Sequence, residues 1–109
     1  MNITRGDTAV YSFTRKDASG NPITIQADKI YFTVKTNYYI DEFVLQKTID
    51  DMTFDAGKYT FTIEPEDTEN LNYGTYVYDI EVITDDYKQT ISIGTFTITD
   101  EVTFTINED

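Results

Sequence analysis

The chain has no cysteine, no histidine and no tryptophan, and it has only two leucines and four alanines. Without Cys there is no disulfide framework and no thiolate nucleophile, so this is not a disulfide-stapled secreted domain. Without His, imidazole acid–base chemistry and the usual zinc sites are excluded. The shortage of Leu and Ala removes the best helix formers, while Thr, Ile, Tyr, Phe and Val, which suit a pleated surface, are abundant. No apolar run is long enough to cross a bilayer, and Met1-Asn2-Ile3-Thr4-Arg5-Gly6-Asp7 has no signal-peptide core. These absences predict an all-β domain made in a cytoplasm. At 109 residues it is one domain, 1–109, with room for one modest core.

Net charge is −12 and unevenly placed. Residues 1–35 carry five Lys/Arg against three Asp, whereas residues 36–109 carry three Lys against seventeen Asp/Glu. Phosphate backbones and anionic membranes are repelled by such a surface, which argues against nucleic-acid binding. The split would suit head-to-tail self-association, but the favoured reading is a solvated acidic surface that keeps a β protein soluble.

Two-residue alternation recurs along the chain, with turn chemistry between the runs. Ala9, Tyr11 and Phe13 mark one strand, Ile23 and Ile25 a short one, and Ile30, Phe32 and Val34 the next. Residues 36–42 break the pattern and predict a loop carrying Tyr38 and Tyr39, after which Phe43, Leu45, Lys47 and Ile49 resume it. Asp50-Asp51 and Asp55-Ala56-Gly57-Lys58 read as turns, and Tyr59, Phe61 and Ile63 as a strand face. Tyr76, Tyr78, Ile80 and Val82 point inward, with Asp79 and Glu81 in water. Ile91 and Ile93 are odd-numbered whereas Phe96 and Ile98 are even, so a β-bulge is predicted near Gly94-Thr95. Val102, Phe104 and Ile106 alternate once more and read as a terminal strand or a loose tail. Seven to nine short strands follow, in an immunoglobulin-like antiparallel β-sandwich.

The most specific local signal is Leu71-x-x-Gly74-x-Tyr76 after the polar turn Pro65–Leu71. That spacing fits a tyrosine corner, in which the Tyr hydroxyl bonds upstream backbone and pins a strand crossing. Asp67 or Thr68 is expected to cap the turn.

No catalytic constellation is present, and the chain reads as a non-enzyme. Glu64, Glu66, Asp67 and Glu69 crowd one exposed turn rather than facing each other across a cleft, as paired-carboxylate glycoside hydrolysis requires. The pairs and triads Asp50/Asp51/Asp55, Asp85/Asp86 and Asp100/Glu101 lack the ordered spacing of a calcium loop and read as turn residues. Arg5-Gly6-Asp7 matches an integrin-recognised tripeptide but runs straight into a strand, so Gly6 reads as a bend. No cofactor or metal ligand set is assigned. Tyr38, Tyr39, Tyr73 and Tyr87 lie in or beside loops and are the candidate protein-contact residues, since Tyr offers large contact area at low entropy cost.

Several segments recur in an order that resembles a known family. They are Gly6-Asp7-Thr8, Asp17-x-x-Gly20-Asn21-Pro22-Ile23, Ile30-Tyr31-Phe32-Thr33-Val34-Lys35 and Tyr59-x-Phe61-x-Ile63-x-Pro65-Glu66-Asp67-Thr68. Leu71-x-Tyr73-Gly74-x-Tyr76-x-Tyr78-Asp79-Ile80, then Thr90-Ile91-x-x-Gly94-x-Phe96-x-Ile98 with Val102-Thr103, complete the series. Together they are similar to immunoglobulin-like proteins of bacteriophage and prophage tails, and to the N-terminal domain of phage baseplate upper proteins. The resemblance implies a structural role in the tail or baseplate of a virion, made in a bacterial cytoplasm, with other phage structural proteins as partners. A homo-oligomer is also open, and neither nucleic acid nor membrane insertion is implied. The second reading is a carbohydrate- or cell-surface-binding module, with or without calcium.

Overall fold

The computed structural model describes residues 1–85 and 87–100. These form eight strands: β1 (Asn2–Thr4), β2 (Ala9–Thr14), β3 (Lys29–Lys35), β4 (Leu45–Thr48), β5 (Thr53–Asp55), β6 (Lys58–Ile63), β7 (Gly74–Thr84) and β8 (Tyr87–Thr99). One helical turn, α1 (Pro65–Thr68), links β6 to β7. The protein is all-β, with a five-stranded sheet ordered β1-β8-β7-β3-β4 and a three-stranded sheet ordered β2-β6-β5.

Alternation in the sequence builds the core. Ile30, Phe32 and Val34 of β3 are wholly buried, as are Tyr59 and Ile63 of β6, with Phe61 almost so. The two inner faces meet where the Phe32 and Phe61 rings lie 4.7 Å apart between centroids. Phe13 stacks on Tyr59 at 5.2 Å, and Phe54 tilts against the same ring at 4.7 Å. Each such side chain contributes about 1.5–3 kcal/mol through removal from water. Tyr59 also satisfies its buried hydroxyl by accepting the Ala27 N–H at 2.9 Å, which fixes the approach to β3.

The β5–β6 hairpin turns through Ala56 and Gly57 at φ +50° and +92°, the pair of positive values that matches strand twist. Gly57 is required twice over: a Cβ there would lie 3.1 Å from the Ile23 carbonyl oxygen, at a φ that side chains disfavour.

Several expectations are corrected. The five-stranded sheet is mixed, because β1 runs parallel to β8, Asn2 beside Thr97 and Thr4 beside Thr99. Period-two patterning is the same in either direction, so only the long-range pairing reveals it. Ile23 and Ile25 form no strand: the contact there is a single bridge between Lys16 and Pro22, and Ile25 is 77% exposed. Its carbonyl accepts the Arg15 guanidinium at 2.9 Å instead of a ladder bond. Phe43 precedes β4 and is exposed.

The bulge falls at Ile91, not at Gly94-Thr95. Ile80 pairs with Ser92 but Glu81 with Thr90, which leaves Ile91 as the extra residue. Gly94 stays in phase with Phe96 and Ile98, opposite Tyr78. A Cβ on Gly94 would lie 2.9 Å from the Tyr78 ring, so the ring fills the space that a side chain would otherwise take. Ile93 consequently faces outward and is 63% exposed. Val102, Phe104, Ile106, Asp86 and Glu101 lie outside the described residues.

Candidate functional site

The connection from β6 to β7 is held at three points. The Tyr76 hydroxyl donates to the Asn72 carbonyl at 2.8 Å, four residues upstream, the bond that the Leu-x-x-Gly-x-Tyr spacing asks for. Leu71 packs half-buried against the core, and Gly74 opens β7 with φ +145°. Asp67 accepts the Glu64 N–H at 2.7 Å and pairs with Lys47 of β4 at 2.8 Å. Thr68 does not cap. It is wholly buried, and its Oγ1 accepts the Gly6 N–H at 2.9 Å. Tyr76→Phe is expected to lower stability by about 1 kcal/mol, one net hydrogen bond, in urea denaturation. The contact surface described next should be unchanged by it.

That surface is the connection from β3 to β4. Tyr38, Tyr39, Ile40 and Phe43 are all exposed there, Tyr39 at 96% of its full surface. The Asn37 side chain accepts the Tyr39 N–H at 2.8 Å and sets the turn. Tyr38 leans back over the sheet: with Thr33, Lys35, Val77 and Asp79 it lines a hollow of about 90 Å³, and its hydroxyl is 3.5 Å from the Gly94 carbonyl. Exposed Ile93, next to Gly94 and paired with Asp79, extends the patch onto the sheet face. Sequence reasoning missed Ile93, because the bulge at Ile91 reverses its side. The signal was Gly94, which shares the parity of Phe96 and Ile98.

Asp79 is half-buried rather than in water. Burial pushes its carboxyl above the usual range, Glu81 adds to this, and Lys35 and Lys88 oppose it. Burial also raises the Tyr11 phenol.

The other candidate tyrosines lie elsewhere. Tyr73 is 46% exposed at the start of β7, with the Arg5 guanidinium 4.3 Å above its ring. This cation–π contact involves the residue that opens the Arg5-Gly6-Asp7 tripeptide. Tyr87 is 67% exposed at the other end of the sheet, where β8 begins. The structure thus brings Tyr38 and Tyr39 together, places Tyr73 toward the same end and separates Tyr87.

Two acidic side chains bond local backbone. Asp51 accepts the Thr48 N–H at 2.9 Å, and Asp17 accepts those of Ser19 and Asn21, each at 2.9 Å. Among the described residues no three His, Cys, Asp or Glu side chains gather as a metal-binding group. No helix among them is long and apolar enough to cross a membrane. A scan against models of protein families found no match, and neither did a search of curated proteins.

Proposed function

We propose that the chain is a structural protein of a phage or prophage tail or baseplate, an immunoglobulin-like sandwich that acts through protein–protein contacts and not as an enzyme. The strand orders support the immunoglobulin-like assignment. With β2 to β8 read as B, C, C′, D, E, F and G, the sheets run A′-G-F-C-C′ and B-E-D, and Tyr76 stands near the start of F where a tyrosine corner belongs. The contact reading is carried by one observation: Tyr38, Tyr39, Ile40 and Phe43 are exposed within six residues, and Ile93 continues the patch. Exposed aromatic side chains in such a cluster are the usual anchors of protein interfaces. The phage assignment itself rests on the order of the segments quoted from the sequence.

Tyr38→Ala with Tyr39→Ala is expected to weaken capture of tail or baseplate proteins from a particle lysate at least about tenfold, while thermal unfolding stays within about 0.5 kcal/mol of wild type. Light scattering after size exclusion reads the assembly state in parallel. Undiminished capture by the double variant, or no virion partner for the wild type, would sink the proposal.

A further inference from the structure

Strand β2 is an edge of its sheet, and β1 pairs with β8 only at Thr97–Thr99, so from Tyr87 to Ser92 that side of β8 meets no strand among the described residues. Between β2 and β8 runs a groove of about 580 Å³ whose apolar lining comes from Phe13, Ile23, Tyr78, Ile80 and Ile91. Hollows of about 300–1,000 Å³ enclose a drug-sized group, the bulk of a few side chains. An added strand is not what this one fits. Lys88 on β8 is largely exposed and the bulge at Ile91 breaks the ladder, two features that protect a sheet edge from strand addition. The same bulge places Ile91 in the groove lining. The occupant therefore brings side chains rather than a backbone ladder.

Charge narrows the choice. Arg15, Lys16 and Met1 line the groove and no carboxylate does; the hollow that continues past Gln89 adds Asp85 alone. Arg15 donates one Nη2 bond to the Ile25 carbonyl, while its Nε is buried without a hydrogen-bond partner among the described residues. Apolar side chains next to carboxylates satisfy both the lining and the charge.

The connection from β3 to β4 carries that combination. Tyr39, Ile40 and Phe43 are exposed, and between them stand the exposed carboxylates Asp41 and Glu42, with no Lys or Arg in the segment 39–43. We propose that this loop of one copy inserts into the groove of a second copy, with Tyr39 and Ile40 against the apolar lining and Asp41 and Glu42 against Lys16 and Arg15. The inference rests on the reading of the loop as a protein-contact surface, and it names the partner of that surface. One molecule cannot close the contact on itself. Its loop joins β3 to β4 on the far side of the five-stranded sheet from β8, and Tyr38 leans over the outer face of that sheet with Thr33 and Asp79. The groove lies beside β8 on the inner face, where Tyr78 and Ile80 line it. Donor and acceptor are thus different surfaces, so the contact is head-to-tail and generates rings or filaments.

Sedimentation velocity on the full chain at physiological salt tests this; repulsion between chains of net charge −12 is then screened beyond about 8 Å. Wild type is expected to associate more as its concentration rises. Tyr39→Ala, Asp41→Lys and Lys16→Glu, all at exposed positions, should each weaken association at least about tenfold. An equal mixture of the Asp41→Lys and Lys16→Glu chains should recover it, because the loop of each then meets the opposite charge in the groove of the other. A wild type that stays monomeric at about 1 mM overturns the inference. So does a mixture no stronger than its components, or association that ignores Tyr39→Ala and Asp41→Lys, which would give the groove to another segment. If wild type is monomeric while capture of virion proteins still depends on Tyr38 and Tyr39, only the groove assignment falls. If capture is independent of both tyrosines, the contact reading falls with it.

Discussion

Phe32→Ala is expected to lower the stability of the domain by about 3–5 kcal/mol, the largest single effect in this chain. Phe32 is wholly buried, and its ring packs across the sheets and along its own: it meets Phe61 of β6 at 4.7 Å, Tyr78 of β7 at 5.6 Å and Phe96 of β8 at 6.2 Å. Truncation removes the transfer free energy of the ring and leaves a cavity that three other rings cannot all collapse into. Domains of this size are stable by about 5–15 kcal/mol, so the variant folds with little margin. Urea denaturation should show the midpoint falling with an unchanged slope, and the melting temperature should drop on the order of 15 °C. A loss under about 1 kcal/mol would mean that the sheets do not depend on this contact.

The position of Phe32 was readable because Ile30, Phe32 and Val34 alternate without interruption and face inward together. Tyr59, Phe61 and Ile63 were readable for the same reason. The errors cluster where the period changes or where partners lie far apart in sequence. A bulge shifts parity, but parity alone does not say which of the residues between Ile91 and Phe96 is the extra one. Placing it at Ile91 needs the partner register, because Gly94 is inward only when Tyr78 supplies the missing volume. The parallel pairing of β1 with β8 joins the two ends of the described chain, which no local pattern encodes. Ile25 looked like a strand residue, but its carbonyl bonds the Arg15 guanidinium and its side chain stays in water.

The candidate surfaces were legible to different degrees. The loop after β3 announced itself, because alternation stops at Thr36 while Tyr38 and Tyr39 continue to supply apolar surface. Ile93 was hidden by the misplaced bulge. The groove between β2 and β8 could not be seen at all, since it is defined by two strand edges without a strand partner among the described residues, and unpaired edges leave no mark on hydrophobic periodicity. The acidic residues were legible in kind: Asp17, Asp51 and Asp67 accept nearby backbone N–H groups, as short acidic side chains in turns do.

Thr68→Val is expected to cost about 1–3 kcal/mol although it keeps the size and shape of the side chain. Thr68 is wholly buried, as is the Tyr59 side chain, and its Oγ1 accepts the Gly6 N–H at 2.9 Å. The bond spans 62 residues of sequence and ties the turn between β1 and β2 to α1. Valine fills the same volume but removes the acceptor, so the Gly6 N–H is left in a part-buried position without its partner. That unpaired donor, rather than lost packing, is the source of the cost. Thr68→Ser separates the two contributions: it keeps the acceptor and loses one methyl, about 0.8 kcal/mol. Amide hydrogen exchange gives a local readout. The Gly6 amide should exchange faster in Thr68→Val and remain protected in Thr68→Ser, whereas the Ala27 amide, held by Tyr59, should follow global stability in both. Equal destabilisation by Val and Ser, with the Gly6 amide protected in each, would show that packing and not the hydrogen bond fixes this corner. Loss of the bond should also loosen the Arg5-Gly6-Asp7 turn, which lies between β1 and β2 and so sets where each enters its own sheet.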